Sequence, residues 1–423
     1  MPKLYITRLD HNAIFPSLAY GEPAGIDLHC PCEVTIPPQS NVIIPIQIKI
    51  TIQQKNVESY GRLASRSSLA IKNIIVINDI IDMESVKVIL YNLSDKHSYT
   101  IKRKDRIAQV VFQETLYIPR ERINVNDEQQ RRRYHHRYNK KTMEIIKSDS
   151  NVIFPTLDLT ARCYNVYSPF DAEIAPGQTV DIPSNVIMNI TPTNFSYGKC
   201  VSTFHLAKEN IIITNDTLIS NNNCVRIVLH NLGKKSYNIK RGDHIARIFY
   251  HRAFDIKDDD NDDDDDDDDQ YDNDSETRKL IFNSNQREKN LVFKKKNEIR
   301  AIFPYLSSVN GYCLCAPESF TIRKGQQCQI DTFLSVQIPM GYYGRIASSY
   351  DMSIRDIIVK GGVIDSDYNG NIIVVLHNIG KKSQTFSRLD CIGTFICEKI
   401  YMFHSKRGIF EERGLKGFGS SGR

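Results

Sequence analysis

The 423-residue chain carries ten cysteines, yet none forms a CxxC pair and no histidine-rich cluster accompanies them. That argues against a structural zinc site and fits a reducing, intracellular compartment. In CPC (Cys30, Cys32) and CLC (Cys313, Cys315) both thiols share one strand face, where they read as small buried side chains, not metal ligands. No stretch reaches the roughly 18 apolar residues of a membrane helix. The opening MPKLYITRLD has no apolar run of signal-peptide length. A nuclear or cytoplasmic location without a membrane partner is expected. Long helical periodicity is scarce too, and SSLAIKN (67–73) suggests one short turn.

What is present is ordinary in bulk, 41% hydrophobic and 25% charged, but uneven in charge. The net charge of +5 conceals a basic run, QQRRRYHHRYNKK (129–141), and an acidic one, DDDNDDDDDDDD (258–269). Neither has apolar periodicity, so both read as solvated linkers predicted to be disordered. The basic run would also suit a nuclear address or a nucleic-acid contact. A tether is the preferred reading, and nucleic acid is not an expected partner.

Between the linkers the chain repeats itself. NAIFPSL (12–18), NVIFPTL (151–157) and RAIFPYL (300–306) open three segments. These end on LYNLSDKHSYTIKRKDRIAQVVF (90–112), LHNLGKKSYNIKRGDHIARIFY (229–250) and LHNIGKKSQTFSRLDCIGTFIC (376–397). A period of about 140 to 150 residues is too long for a solenoid and suits tandem domains. Within each segment, short runs of β-branched and aromatic residues are broken by Pro, Gly, Asn and Asp, as in NVIIPIQIKITIQ (41–53) and NIIVVLHN (371–378). The pattern predicts all-β units, sandwich or barrel-like, with LHNLGKKS and its relatives as hairpins bent at glycine. GGVIDSDYNG (361–370) likewise reads as two strand ends around a tight turn, with a carboxylate at its shoulder. Three such units on one tether can close around a pseudo-threefold axis, as subunits do in a cyclic trimer.

The order AGIDL (24–28), GRLASRSSLA (61–70), GVIDSDYNG (362–370), DRIAQ (105–109) and RGLKGFGSSG (413–422) resembles the five motifs of the trimeric dUTPase family. The resemblance covers essentially all of the folded chain. It implies three tandem dUTPase-like jelly-roll β-barrel domains forming an intramolecular pseudo-trimer, in a chain that is a monomer. Unit 1 is placed at 1–118, a basic linker at 119–148, unit 2 at 149–252 and an acidic linker at 253–298. Unit 3 follows at 299–402 and a C-terminal arm at 403–423. The motifs are shared out unequally. Unit 1 keeps the first, second and fourth. Unit 2 reads ARCYNVY (161–167) and GKCVSTFHLA (198–207), and has Ser220 where the third motif's aspartate would stand. Unit 3 reads NGYCL (310–314), with Cys313 in the first-motif aspartate's place, and GRIASSYDMS (344–353), but alone has the full third motif. In this family the third motif faces the others across a subunit boundary, so the resemblance implies one complete site between units 1 and 3.

That resemblance implies hydrolysis of dUTP to dUMP and pyrophosphate, which limits uracil in DNA and supplies dUMP. Asp365 is the candidate base for the attacking water, and Asp27 a supporting carboxylate. Arg66, Ser67, Ser68, Gln109 and Arg413 are candidate phosphate ligands, with Mg2+ bridging phosphate oxygens. Gly362, Val363, Ile364 and Asp365 would present backbone to the uracil edge, and Tyr368 would pack under deoxyribose. Phe418 would stack on uracil, while Gly419, Ser420 and Ser421 of a Gly/Ser tail would close over the γ-phosphate. Three other readings stay open: a catalytically inactive scaffold of the same fold, a dCTP deaminase, and a nucleic-acid binder resting on 129–141.

Overall fold

The computed structural model describes residues 3–18, 23–53, 59–115, 142–159, 161–191, 196–215, 223–252, 277–280, 291–307 and 311–401. Each repeat builds the same pair of sheets. In the first repeat the strand order is Ser17–Leu18, Ile26–His29, Arg106–Glu114, Ser59–Ala64. The second repeat sets Thr156–Asp158, Cys163–Tyr167, His244–Arg252 and Ser196–Val201 in that order. The third uses Tyr305–Leu306, Tyr312–Cys315, Cys391–Lys399 and Tyr342–Ala347, then adds Val363–Ile364 at the edge. The companion sheets are centred on Lys87–Asn92, Cys224–Asn231 and Ile373–Asn378. All pairings between these strands are antiparallel, and among the described strands no sheet closes on itself. The strands Thr142–Lys147 and Leu291–Lys295 join the sheets of repeats two and three from within the stretches assigned to linkers.

Two expectations of local structure are corrected. LHNLGKKS and its relatives are not hairpins, because the strands on either side of each lie in different sheets. Each connection is an arch whose asparagine amide stitches it to two carbonyls. Asn92 donates to Ile36 and His97, Asn231 to Ile174 and Lys235, and Asn378 to Ile322 and Lys382. Residues 361–370 behave the same way. Val363–Ile364 pairs with Tyr342–Ala347, whereas Ile373–Asn378 pairs in the other sheet. The SSLAIKN turn forms as expected, as helix α1 (Ser67–Ala70), with counterparts α2 (Phe204–Lys208) and α3 (Tyr350–Ile354).

Alternation along the central strands packs both levels of structure at once. In Lys87–Asn92, Val88 and Leu90 enter the first repeat's own core beside Ile36 and Ile74. Ile89 and Tyr91 face the other way, against Ala207, Ile212 and Leu232 of the second repeat and Ile358 of the third. Each fully buried Ile or Leu contributes about 1.5–3 kcal/mol, so this shared cluster holds the repeats around one axis as a pseudo-trimer. A second axial layer is polar. Tyr60, Arg62 and Gln113 of the first repeat, Tyr197, Lys199 and His251 of the second, and Tyr343, Arg345 and Glu398 of the third are all buried. Glu398 accepts from Arg345 Nε and Tyr197 Oη, each at 2.6 Å, and from Tyr343 and Gln113. Surrounding cations hold its carboxyl well below the usual range despite burial.

The cysteines also depart from expectation. Cys30 and Cys315 are buried free thiols, but Cys313 is disulfide-bonded to Cys391. The register explains the pairing. Asp27 lies opposite Gln109 in the first repeat, and Cys313 opposite Thr394 in the third. Cys391 therefore stands where Arg106 does, and the bond occupies the place of the Asp27–Arg106 ion pair.

Candidate active site

The third repeat brings its two aliphatic residues and aspartate to the repeat boundary through two glycines in left-handed conformation, Gly361 and Gly362 (φ 77° and 82°). A Cβ on Gly362 would stand 2.6 Å from the Ile346 carbonyl oxygen, so only glycine lets the segment leave its sheet there. Residues 365–368 then turn, with Tyr368 N–H donating to the Asp365 carbonyl at 3.1 Å. The Tyr368 hydroxyl donates to the Asn371 carbonyl at 2.8 Å. Asp365 is 5% exposed, and its Oδ1 accepts the backbone N–H of Ala24 in the first repeat at 2.8 Å.

Ser67 of the first repeat completes a cavity of about 50 Å³ with Lys360, Gly362, Asp365, Tyr368 and Ile373 of the third. Val363 and Ile364 line it between them. Behind Ser67 lies a charged layer. Asp27 is 1% exposed and is paired with Arg66 and, at 3.4 Å, with Arg106 Nη1. Burial and the neighbouring Arg66 lower the Arg106 pKa. Gln109 sits opposite both Asp27 and Ala64, with its Nε2 3.4 Å from the Gly25 carbonyl. Ser68 follows Ser67 in α1 and is not among the cavity's lining residues. Thus Ser67, Gly362, Val363, Ile364, Asp365 and Tyr368 share one cavity, while Arg66, Asp27 and Gln109 are not among its lining residues. Arg413, Phe418, Gly419, Ser420 and Ser421 lie outside the described residues, as does Ser220.

The other two boundaries are built differently. Phe204 and Tyr350 occupy the Ser67 position, and Lys87 and Arg226 the Ile373 position. Between repeats one and two, the Lys87 ammonium stands 6.0 Å from the Phe204 ring centroid. Between two and three, Tyr350 donates to Asp181, which also binds Arg226 at 2.6 Å. An aromatic ring against a cation thus fills the space that serine leaves open. Thr203 and Ser349 each cap the helix that follows, accepting the N–H of Leu206 and of Met352 at 3.2 Å. At the matching position Arg66 makes no side-chain cap. Asp82, the first repeat's counterpart of Asp365, accepts the N–H of Glu84 at 3.0 Å, a local turn contact.

Arg106 and Lys360 were not singled out by the motifs. Arg106 stands inside DRIAQ, but its tie to Asp27 depends on the bulge between Arg106 and Ala108. Lys360 carries a signal visible on aligning the repeats, IIVKGG beside IIVIND and IIITND.

Comparison with known proteins identifies the family. The dUTPase family profile matches residues 11–139 and 297–422. A deoxyuridine 5'-triphosphate nucleotidohydrolase of cowpox virus is 34% identical over 145 residues, 34% of this chain and 99% of the relative. One from Debaryomyces hansenii is 39% identical over 119 residues, 27% of this chain and 74% of its own length. A solved dUTPase of phage phi11 of S. aureus, described with a structural Mg(II) ion, is 18% identical over 28% of this chain and 95% of its own, with a TM-score of 0.26. Since the matched spans cover more than half of the sequence and include four of the five motif stretches at their expected places on the first and third repeats and the fifth in the terminal arm, the chain belongs to the dUTPase family.

Proposed function

We propose that this chain hydrolyses dUTP to dUMP and pyrophosphate at a single site assembled from its first and third repeats. The observation that carries this reading is the hydrogen bond from Ala24 N–H to Asp365 Oδ1, which joins the first motif of one repeat to the third motif of another. In the proposed reaction Asp365 takes a proton from water as the water oxygen bonds to the α-phosphorus. The bond from that phosphorus to the bridging oxygen breaks, and pyrophosphate leaves.

Ser67, Ser68 and Gln109 are assigned to phosphate oxygens. Arg66, oriented by the buried Asp27, supplies positive charge beside them. The backbone of residues 362–365 would read the uracil edge, and a base with donors and acceptors exchanged would leave those groups unpaired. Tyr368, fixed by its bond to Asn371, would form the floor under deoxyribose. The described residues hold no group of three His, Cys, Asp or Glu side chains, which suits a metal bound chiefly through substrate oxygens. Mg2+ bound there would neutralise developing phosphate charge.

Tyr401 N–H donates to the Phe112 carbonyl of the first repeat at 3.0 Å, so the chain leaves the third repeat beside the first. From there an extended chain could reach roughly 40 Å at Arg413 and roughly 65 Å at Ser421, at about 3.3 Å per residue, and Arg413, Phe418, Gly419, Ser420 and Ser421 are assigned to the site on that tether. The reading is tested by pyrophosphate release with Mg2+ from dUTP, dCTP, dTTP and UTP. Selective turnover of dUTP is expected. Ammonia release from dCTP, or no turnover from folded protein, would overturn it.

A further inference from the structure

The three repeat boundaries carry the same joint with different chemistry, and one of them holds a buried ammonium. At the boundary with the cavity, Lys360 Nζ donates to Asn73 Oδ1 of the first repeat at 2.8 Å and to Gln327 Oε1 of the third. Gln327 Nε2 in turn donates to the Ile71 carbonyl at 2.7 Å. Ile71 and Asn73 belong to the turn that ends α1, and Asn73 is held there at φ 65°. The Lys360 side chain thus fastens the helix carrying Ser67 to the strand that runs into Gly361 and Gly362. It also lines the cavity itself.

The silent joints lack this fastening. Between repeats one and two the Lys360 position is Ile77, and the facing Asn210 Oδ1 is buried with no hydrogen-bond partner. Only the outer amide contact survives there, from Asn41 Nδ2 to the Lys208 carbonyl at 3.2 Å. Between two and three the position is Thr214, which donates to its own repeat's Val228 carbonyl at 3.3 Å. The facing residue is Asp356, taken by Thr179 and by His230 at 3.8 Å. A lysine 3% exposed and bonded to two neutral amide oxygens is costly. Burial lowers its pKa to about 7. The fold does without a lysine at both other joints, so its retention at the cavity points to the site.

We infer that Lys360 is a positioning residue for the nucleotide site, setting the separation between Ser67 and residues 362–365 by clamping the 71–73 turn through Asn73 and Gln327. This rests on the reaction proposed above. Substrate bound by both walls at once requires them at a fixed spacing, so loosening the clamp weakens binding before it touches the proton transfer at Asp365.

The test uses the full chain and the residue found at the first repeat's own joint. Lys360→Ile is expected to raise KM for dUTP about tenfold, leave kcat within twofold, and keep or raise the thermal midpoint. Asn73→Ala, which keeps the ammonium and removes its acceptor, should raise KM similarly, and serves alone if Lys360→Ile fails to fold. The double variant should be no worse than the worse single one, since both remove one clamp. Calorimetric titration with dUMP should show the same weakening without turnover. Unchanged kcat/KM and dUMP affinity in Lys360→Ile would overturn the inference. So would independent, multiplying losses in the double variant, or a loss that tracks a lowered thermal midpoint. Wild-type protein that turns over no nucleotide would instead sink the reaction itself, and this inference with it.

Discussion

Two carboxylates in this chain hold matching positions in different surroundings. Asp365 is buried at a repeat boundary with the Ala24 N–H on one oxygen. Asp82 closes a turn with Glu84. Asp365→Asn should therefore lower kcat for dUTP by about 10²–10⁴, the range for losing a general base, with KM little changed. Asp82→Asn should leave both constants within twofold. Pyrophosphate release from the two variants side by side checks this, and equal effects would deny Asp365 its role. The motif residues were legible from the sequence because glycine, aspartate and tyrosine at fixed offsets have few structural uses together. Arg106, Lys360 and the disulfide at Cys313 were not. Each acquires its meaning from a partner on another strand, and strand register is not written in local composition. The replacement of the Asp27–Arg106 pair by a bond between Cys313 and Cys391 shows the point, since CLC read in isolation offers only small buried side chains.

At the scale of elements, the strands themselves were recognisable from alternation, but their partners were not. LHNLGKKS has the composition of a hairpin, and what diverts it is the asparagine side chain, which satisfies carbonyls on two sides and frees the following strand to join another sheet. The central strands are buried on both faces, and this brings titratable groups inside. His251 and His377 are held neutral by desolvation, each with its pKa lowered to about 3. Below the unfolded value near 6.5 the unfolded chain takes up protons that these imidazoles refuse. Stability should then fall with decreasing pH by about 1.4 kcal/mol per pH unit for each histidine. Glu398 adds to this, because its depressed carboxyl contributes stability above the unfolded value that is lost as pH falls through the folded one. Lys360 acts on the alkaline side. It gives up its proton near 7 in the folded chain and only near 10.5 in the unfolded one, so stability should rise from pH 7 toward 8, before the buried thiols, whose pKa values are raised, begin to oppose it. Denaturant midpoints measured from pH 5 to 8 should climb throughout. A flat profile between 5 and 7 would mean the two histidines are not buried neutral in solution.

A symmetric trimer must place identical residues at every boundary, whereas one continuous chain is free of that requirement. This molecule uses the freedom at both axial layers and at each joint. Glu398, Gln113 and His251 are position-equivalents, and a carboxylate at all three would set like charges together on the axis. Ser67, Phe204 and Tyr350 are equivalents too, and the two aromatic rings close the boundaries that have lost the aspartate of the first motif. Buried packing joins all three repeats, while the proposed chemistry belongs to one boundary. The consequence is a stoichiometry. A chain of 48.5 kDa should run in light scattering at its own mass and bind one dUMP, against three for a homotrimer of complete units. Specific activity per chain should stay constant on dilution, because both halves of the site belong to one polypeptide. A titration endpoint of two or three nucleotides per chain would show that Phe204 or Tyr350 swings aside to open a second boundary. Activity that falls on dilution would show that a second chain supplies part of the site.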